Sequence, residues 1–137
     1  MTPGQAEQAR LELEHALEAL EESRVLMMSG TMRGSISRLY YAVFHAARAA
    51  LLVRGCYSKT HSGQITLFND TFGEAVILGR LFELRGKADY ALEGFSISRE
   101  VVHLRITEAT ELIERCRTIV DEATGAGADE PDPPPDL

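Results

Sequence analysis

The sequence predicts an all-α fold, an antiparallel up-and-down bundle of about five helices, and three observations carry that expectation. No stretch alternates apolar and polar residues with the period of two that a half-buried strand requires. Apolar or small residues at Val102, Ile106, Ala109, Ile113, Cys116 and Val120 step by 4, 3, 4, 3 and 4, the seam of a helix packed in a bundle. Glycines at positions 30, 55, 73 and 94 cut the rest into lengths that suit helices joined by short turns.

Taken in order, Thr2-Pro-Gly-Gln5 reads as an N-cap, a proline at the first helical position and a capping-box glutamine. A first helix follows over about 4 to 29, with Ala9, Leu13, Ala16, Leu17, Leu20 and Met27 on its inner face and Gly30 as its stop. The second spans about 32 to 54 and ends at Gly55. Because it is apolar around most of its circumference, it should be the central helix. The loop Cys56-Tyr-Ser-Lys-Thr-His61 leads to Ser62 as the cap of a short helix over 62 to 72, broken by Gly73. A fourth helix is predicted over about 75 to 91, carrying Val76, Leu78, Leu81, Phe82 and Leu84. After a turn at Glu93-Gly94-Phe95, Ser96 or Ser98 caps the last helix, over 97 to 123.

The domain is thus residues 1 to 123. Residues 124 to 137 form an acidic, proline-rich tail that is expected to be disordered. A chain of 137 residues can bury a real core without disulfides or metal. Cys56 and Cys116 lack the paired spacing of a zinc or redox motif and are expected as free thiols. No apolar run approaches the roughly 20 residues of a membrane span. The first residues have neither a basic segment nor an apolar core of a secretory signal, so a cytoplasmic location is expected.

Net charge is −7, which argues against a general nucleic-acid binder, but its distribution is uneven. Between Glu22 and Asp70 there is no acid, yet there are six bases, Arg24, Arg33, Arg38, Arg48, Arg54 and Lys59, with His45 and His61. Such a window means either a buried helix that excludes acids or a local anion-binding face. At about 100° per residue, Arg38 and His45 fall within roughly 20° of each other, with Tyr41 and Arg48 on the same side. A cation, a phenol, an imidazole and a second cation therefore line one stripe of an otherwise apolar helix. That stripe costs desolvation unless its groups find partners or serve a site.

These pieces resemble the HEPN superfamily of small helical bundles. The resemblance lies in Arg38-Leu-Tyr-Tyr-Ala-Val-Phe-His-Ala-Ala-Arg48, Lys59-Thr-His-Ser-Gly63, Leu81-Phe-Glu-Leu-Arg85 with Ala88-Asp-Tyr90, and Phe95-Ser96, in order over about residues 5 to 122. It implies the bundle fold, no cofactor, and two classes of function. In one, the protein is an endoribonuclease, with Arg38 and His45 matching an arginine followed up to seven residues later by histidine, and with two such motifs facing each other across a homodimer that cuts RNA without metal. It would then be the toxin of a toxin-antitoxin or defence pair, with a minimal nucleotidyltransferase as partner. In the other, it is a non-catalytic nucleotide-binding or nucleotidyltransferase-partner module. Leu39 stands where active members often have a polar residue, and Ala46-Ala47 replace the tyrosine-containing ending of toxin forms.

The chemistry of the first class is sound on its own terms. A histidine can take the proton of a ribose 2′-hydroxyl or deliver one to the leaving 5′-oxygen, and an arginine can neutralise charge on the phosphorane. Around this pair, Tyr41 is expected as a core or interface aromatic with its hydroxyl at the stripe. Arg48 is expected as a phosphate ligand or as the ion-pair partner of an acid on the first or last helix. Lys59 and His61 sit at a helix start suited to an anion, unless Thr60 and Ser62 simply cap that helix. Arg85, Asp89 and Tyr90 read as an ion pair and a packed ring, or as a second polar cluster. His15 and His103 lie among charged positions. No metal-ligand cluster, glycine-rich phosphate loop or serine or cysteine triad pattern is expected from the sequence.

Overall fold

The computed structural model describes residues 1–73, 76–90 and 96–125. Its first helix, α1 (Pro3–Met28), begins with the predicted reciprocal cap. The Gln5 amide donates to the Thr2 hydroxyl at 3.1 Å and the Thr2 amide donates to the Gln5 side chain at 2.8 Å. The helix stops where Gly30 takes φ +88°, with Gly30 N–H donating to Met27 and Thr31 N–H to Leu26. That is a Schellman closure, in which the left-handed residue costs nothing because it has no Cβ. The same motif ends the second helix, α2 (Met32–Leu52), through Gly55 at φ +72° and the Cys56 amide on Leu51.

The third helix, α3 (His61–Phe72), is capped by Thr60, whose hydroxyl accepts from the Gly63 amide at 3.0 Å. It therefore starts one residue before the predicted position, and Ser62 lies inside the helix rather than capping it. The fourth, α4 (Val76–Asp89), is followed by α5 (Arg99–Thr124), where Ser98 rather than Ser96 is the cap. The predicted turn at Glu93-Gly94-Phe95 and the tail from residue 126 lie outside the described residues.

Among the described residues the fold is all-α, with five helices and no strand. Pairings between helices show an alternating course. Ser23 of α1 meets Ser35 of α2, while Arg33 near the start of α2 donates to the carbonyl of Ala88 near the end of α4, at 2.6 and 2.9 Å. Arg80 of α4 pairs with Glu108 of α5 at 3.3 Å. Helix α2 packs against all four others, as its apolar circumference predicts. Ile36, Leu39, Tyr40 and Val43 on it are wholly buried, with Phe68, Leu78, Leu81, Val102 and Ile113 from its neighbours. The seam predicted for α5 is the buried face observed, Val102 through Val120.

No helix of the described residues is long and apolar enough to cross a membrane. The two cysteines are free and differ in setting: Cys56 is half-buried, while burial pushes the Cys116 thiol up to about 12. Titration of the native protein with a thiol reagent should show one fast cysteine, with the second released only by denaturant. Equal rates for both thiols in the native protein would contradict the packing of α5.

Candidate functional site

Four of the residues singled out in the sequence share one surface of α2. The Arg38 guanidinium lies 5.2 Å above the centre of the Tyr41 ring, and that ring stacks on His45, centroids 6.0 Å apart and planes 21° from parallel. One turn further on, Arg48 lies over Phe44 at 5.7 Å and over Tyr57 at 5.3 Å, and donates to the Tyr57 hydroxyl at 3.2 Å. A guanidinium, a phenol and an imidazole are thus in register along the helix, with a second guanidinium beyond. This follows from the 3.6-residue turn and from χ1 preferences that aim successive side chains the same way.

Helix α1 supplies acids along one side of this row. Glu22 pairs with Arg38 at 3.3 Å, where both side chains are about half exposed, so the pair is worth little and an incoming anion can replace it. Glu12 is different. It is buried, and its Oε2 accepts a 2.5 Å hydrogen bond from His45 Nδ1. Burial by itself raises the Glu12 pKa, but the hydrogen bond from His45 and the charges of His45 and Arg48 outweigh it, so the carboxyl lies below its ordinary value. An ionised carboxylate on Nδ1 fixes the ring's tautomer and orientation and leaves Nε2 for chemistry.

On the other side of the row, α4 brings Arg85 over both Tyr40 at 5.3 Å and Tyr41 at 5.6 Å. Arg85 also pairs with Asp89 at 2.8 Å, the ion pair expected from the sequence. His61 turns inward from the first residue of α3, stacks on Phe44 at 4.3 Å and shares a 2.5 Å hydrogen bond with the Tyr40 hydroxyl. Burial pushes the Tyr40 hydroxyl up to about 12. It also lowers the His61 pKa, with Arg85, Arg48 and His45 adding to the effect.

Some of these expectations are met by one of their alternatives, and others need correction. The polar stripe finds partners within one chain, because α1 presents Glu22 to Arg38 and Glu12 to His45. Arg48 pairs with an aromatic hydroxyl and two rings rather than with an acid of α1 or α5. Tyr90 is not a packed ring; it is 82% exposed, at the end of α4, and with His61, Phe82 and Arg85 it lines an open cleft of about 420 Å³. Lys59 is exposed and forms no hydrogen bond or ion pair among the described residues. The basic window divides in the same way, since Arg33 closes the end of α4 and Arg54 lies over Phe72, away from the row.

Two residues of α1 outside the predicted stripe, Glu12 and His15, complete the site. Glu12 falls on the apolar stripe of α1, between Ala9 and Leu13 and one turn before Ala16. An acid on that face was the available signal. His15, on the next turn, meets His45 edge to face at 5.6 Å. Glu12, His15 and His45 each offer a ligand atom, all within 4.8 Å of one another.

A family model described as the HEPN domain matches residues 9–125. A "UPF0332 protein" of Pyrococcus horikoshii is 35% identical over 62% of this chain and 62% of its own length. A "Putative toxin" of Methanocaldococcus jannaschii is 30% identical over 80% of this chain and 87% of its own. A "UPF0332 protein" of Gloeobacter violaceus is 40% identical over 59% of each. The chain thus spans about three fifths of the Pyrococcus and Gloeobacter relatives. The family match extends from the second turn of α1 to the end of α5, taking in every described helix, and on that ground the chain belongs to the HEPN domain family.

Proposed function

We propose that this protein is an endoribonuclease that cleaves RNA without a metal ion, using Arg38 and His45 from each of two copies in a homodimer. The observation that supports this most is the buried Glu12 carboxylate on His45 Nδ1, the arrangement that holds a histidine ready for proton transfer. His45 Nε2 takes the proton of the ribose 2′-hydroxyl as its oxygen attacks phosphorus. The imidazolium so formed is stabilised by Glu12. Arg38, released from its weak pair with Glu22, neutralises the phosphorane oxygens, and Arg48 and Arg85 extend the positive surface along the strand. One histidine per chain supplies a base, and its counterpart in the second copy supplies the acid that protonates the leaving 5′-oxygen.

The words "Putative toxin" in the name of the Methanocaldococcus relative support placing the activity as the toxin of a toxin-antitoxin pair; a nucleotidyltransferase as the restraining partner is what the family resemblance implies. Purified protein incubated with RNA in EDTA should produce fragments ending in 2′,3′-cyclic phosphate, and sedimentation should give twice the mass of the chain. Absence of cleavage together with salt-sensitive binding of RNA or nucleotide would assign a non-catalytic module to the same residues.

A further inference from the structure

We propose that Glu12, His15 and His45 form a binding site for a divalent transition-metal ion of the zinc class. Glu12 and His15 follow the Glu-x-x-His spacing, which brings a carboxylate and an imidazole to one side of a helix a single turn apart. The third ligand comes from α2, which the antiparallel packing of α1 and α2 sets at the same height. All three ligand atoms already lie within 4.8 Å of one another. Tetrahedral coordination at about 2.0–2.2 Å sets ligand atoms roughly 3.4 Å apart, so the ion takes the place of the proton shared by Glu12 and His45, those two groups spread slightly, and the exposed His15 side chain swings in.

The ligand chemistry selects the ion. Two imidazoles and one carboxylate suit zinc and its first-row neighbours, whereas magnesium and calcium prefer oxygen alone. Burial grades outward from Glu12 through His45 to His15, so the site has a fixed floor and an open mouth. Three protein ligands leave one position for water or another small donor.

Occupancy takes His45 out of use, so the ion is an inhibitor of RNA cleavage. That consequence rests on the function proposed above; the site itself does not. The test uses untagged full-length chain, stripped with EDTA and dialysed, to which Co²⁺ is added. We expect a saturable visible absorption of low-coordinate Co²⁺, one ion per chain, displaced by Zn²⁺ and not by Mg²⁺. His15→Ala and Glu12→Gln should each weaken Co²⁺ binding by more than about tenfold, while His103→Ala leaves it unchanged, with helical content checked by circular dichroism. Loss of Co²⁺ absorption in wild type, or its full retention in His15→Ala, overturns the site. For cleavage, the Zn²⁺ concentration that halves the rate should rise more than about tenfold in His15→Ala, relative to that variant's own metal-free rate. If no RNA is cleaved under any condition, the Co²⁺ titration still decides the metal site, and only the ribonuclease proposal falls.

Discussion

If the chain is the ribonuclease proposed above, His45→Ala should lower RNA cleavage by a factor on the order of 10²–10⁴, the range a positioned general acid or base supplies. The change deletes both roles at once if two copies share the chemistry, which places the expected loss toward the upper end. Only 22% of the His45 side chain is exposed and its loss leaves the Glu12 carboxylate without that partner, so helical content by circular dichroism is checked alongside activity. Arg38→Ala should cost less, about 10²–10³, because it removes stabilisation of the phosphorane and leaves proton transfer intact. The double variant should be no worse than His45→Ala by the full Arg38 factor, since groups acting in one step are not additive. Single-turnover cleavage of a labelled RNA in EDTA separates these effects from any bound ion. Full activity in His45→Ala would sink the proposed mechanism.

Leu39→Ala should lower unfolding stability by about 2–5 kcal/mol, and Leu39→Asn by more. Leu39 is wholly buried inside the main core cluster, on the side of α2 that turns away from the neighbouring Arg38. Truncation to alanine loses transfer free energy and leaves a cavity. An asparagine there adds an amide with no designed partner, a further penalty of roughly 1–3 kcal/mol. Against a total of about 5–15 kcal/mol for an ordinary domain, either change is large. Urea titration should show the midpoint falling at an unchanged m-value. A stability loss below 1 kcal/mol in Leu39→Ala would contradict the packing around α2. The position matters because Leu39 stands where the resemblance gives active members a polar residue. In this chain that place belongs to the core, so the polar contribution beside Arg38 has to come from elsewhere, and Glu22 is the group paired with it.

Features that depend on a few consecutive residues were legible in the sequence. The Thr2 capping box, the glycine stops at Gly30 and Gly55, the apolar seam of α5 and the alignment of Arg38, Tyr41, His45 and Arg48 all follow from helix geometry alone. Choice among equivalent local signals was harder. Thr60 and Ser62 are both good caps, as are Ser96 and Ser98, and which one serves depends on where the following helix docks. Long-range pairings were the least legible. Glu12 and His45 are separated by 33 residues, and no periodicity in either helix states that they face each other. His15 was invisible for the same reason. Tyr90 misled because an aromatic at the end of an amphipathic helix is usually packed, whereas this one follows the last residue of α4 and is exposed.

The contact between Ser23 and Ser35 has a bearing on a site it never touches. Each hydroxyl donates to the other residue's carbonyl, at 2.8 and 2.7 Å, so two fully buried side chains stitch α1 to α2 reciprocally. Sliding one helix past the other by a single residue, about 1.5 Å, breaks both bonds and leaves two dry hydroxyls unmatched, at about 1–3 kcal/mol apiece. Larger residues cannot enter there without prising the helices apart. The stitch lies about three turns along α1 from Glu12, yet it fixes the height at which that carboxylate meets the imidazole. Alignment of the site is therefore gauged at a distance, like the zero mark of a ruler, and the chemistry depends on two serines that no substrate reaches.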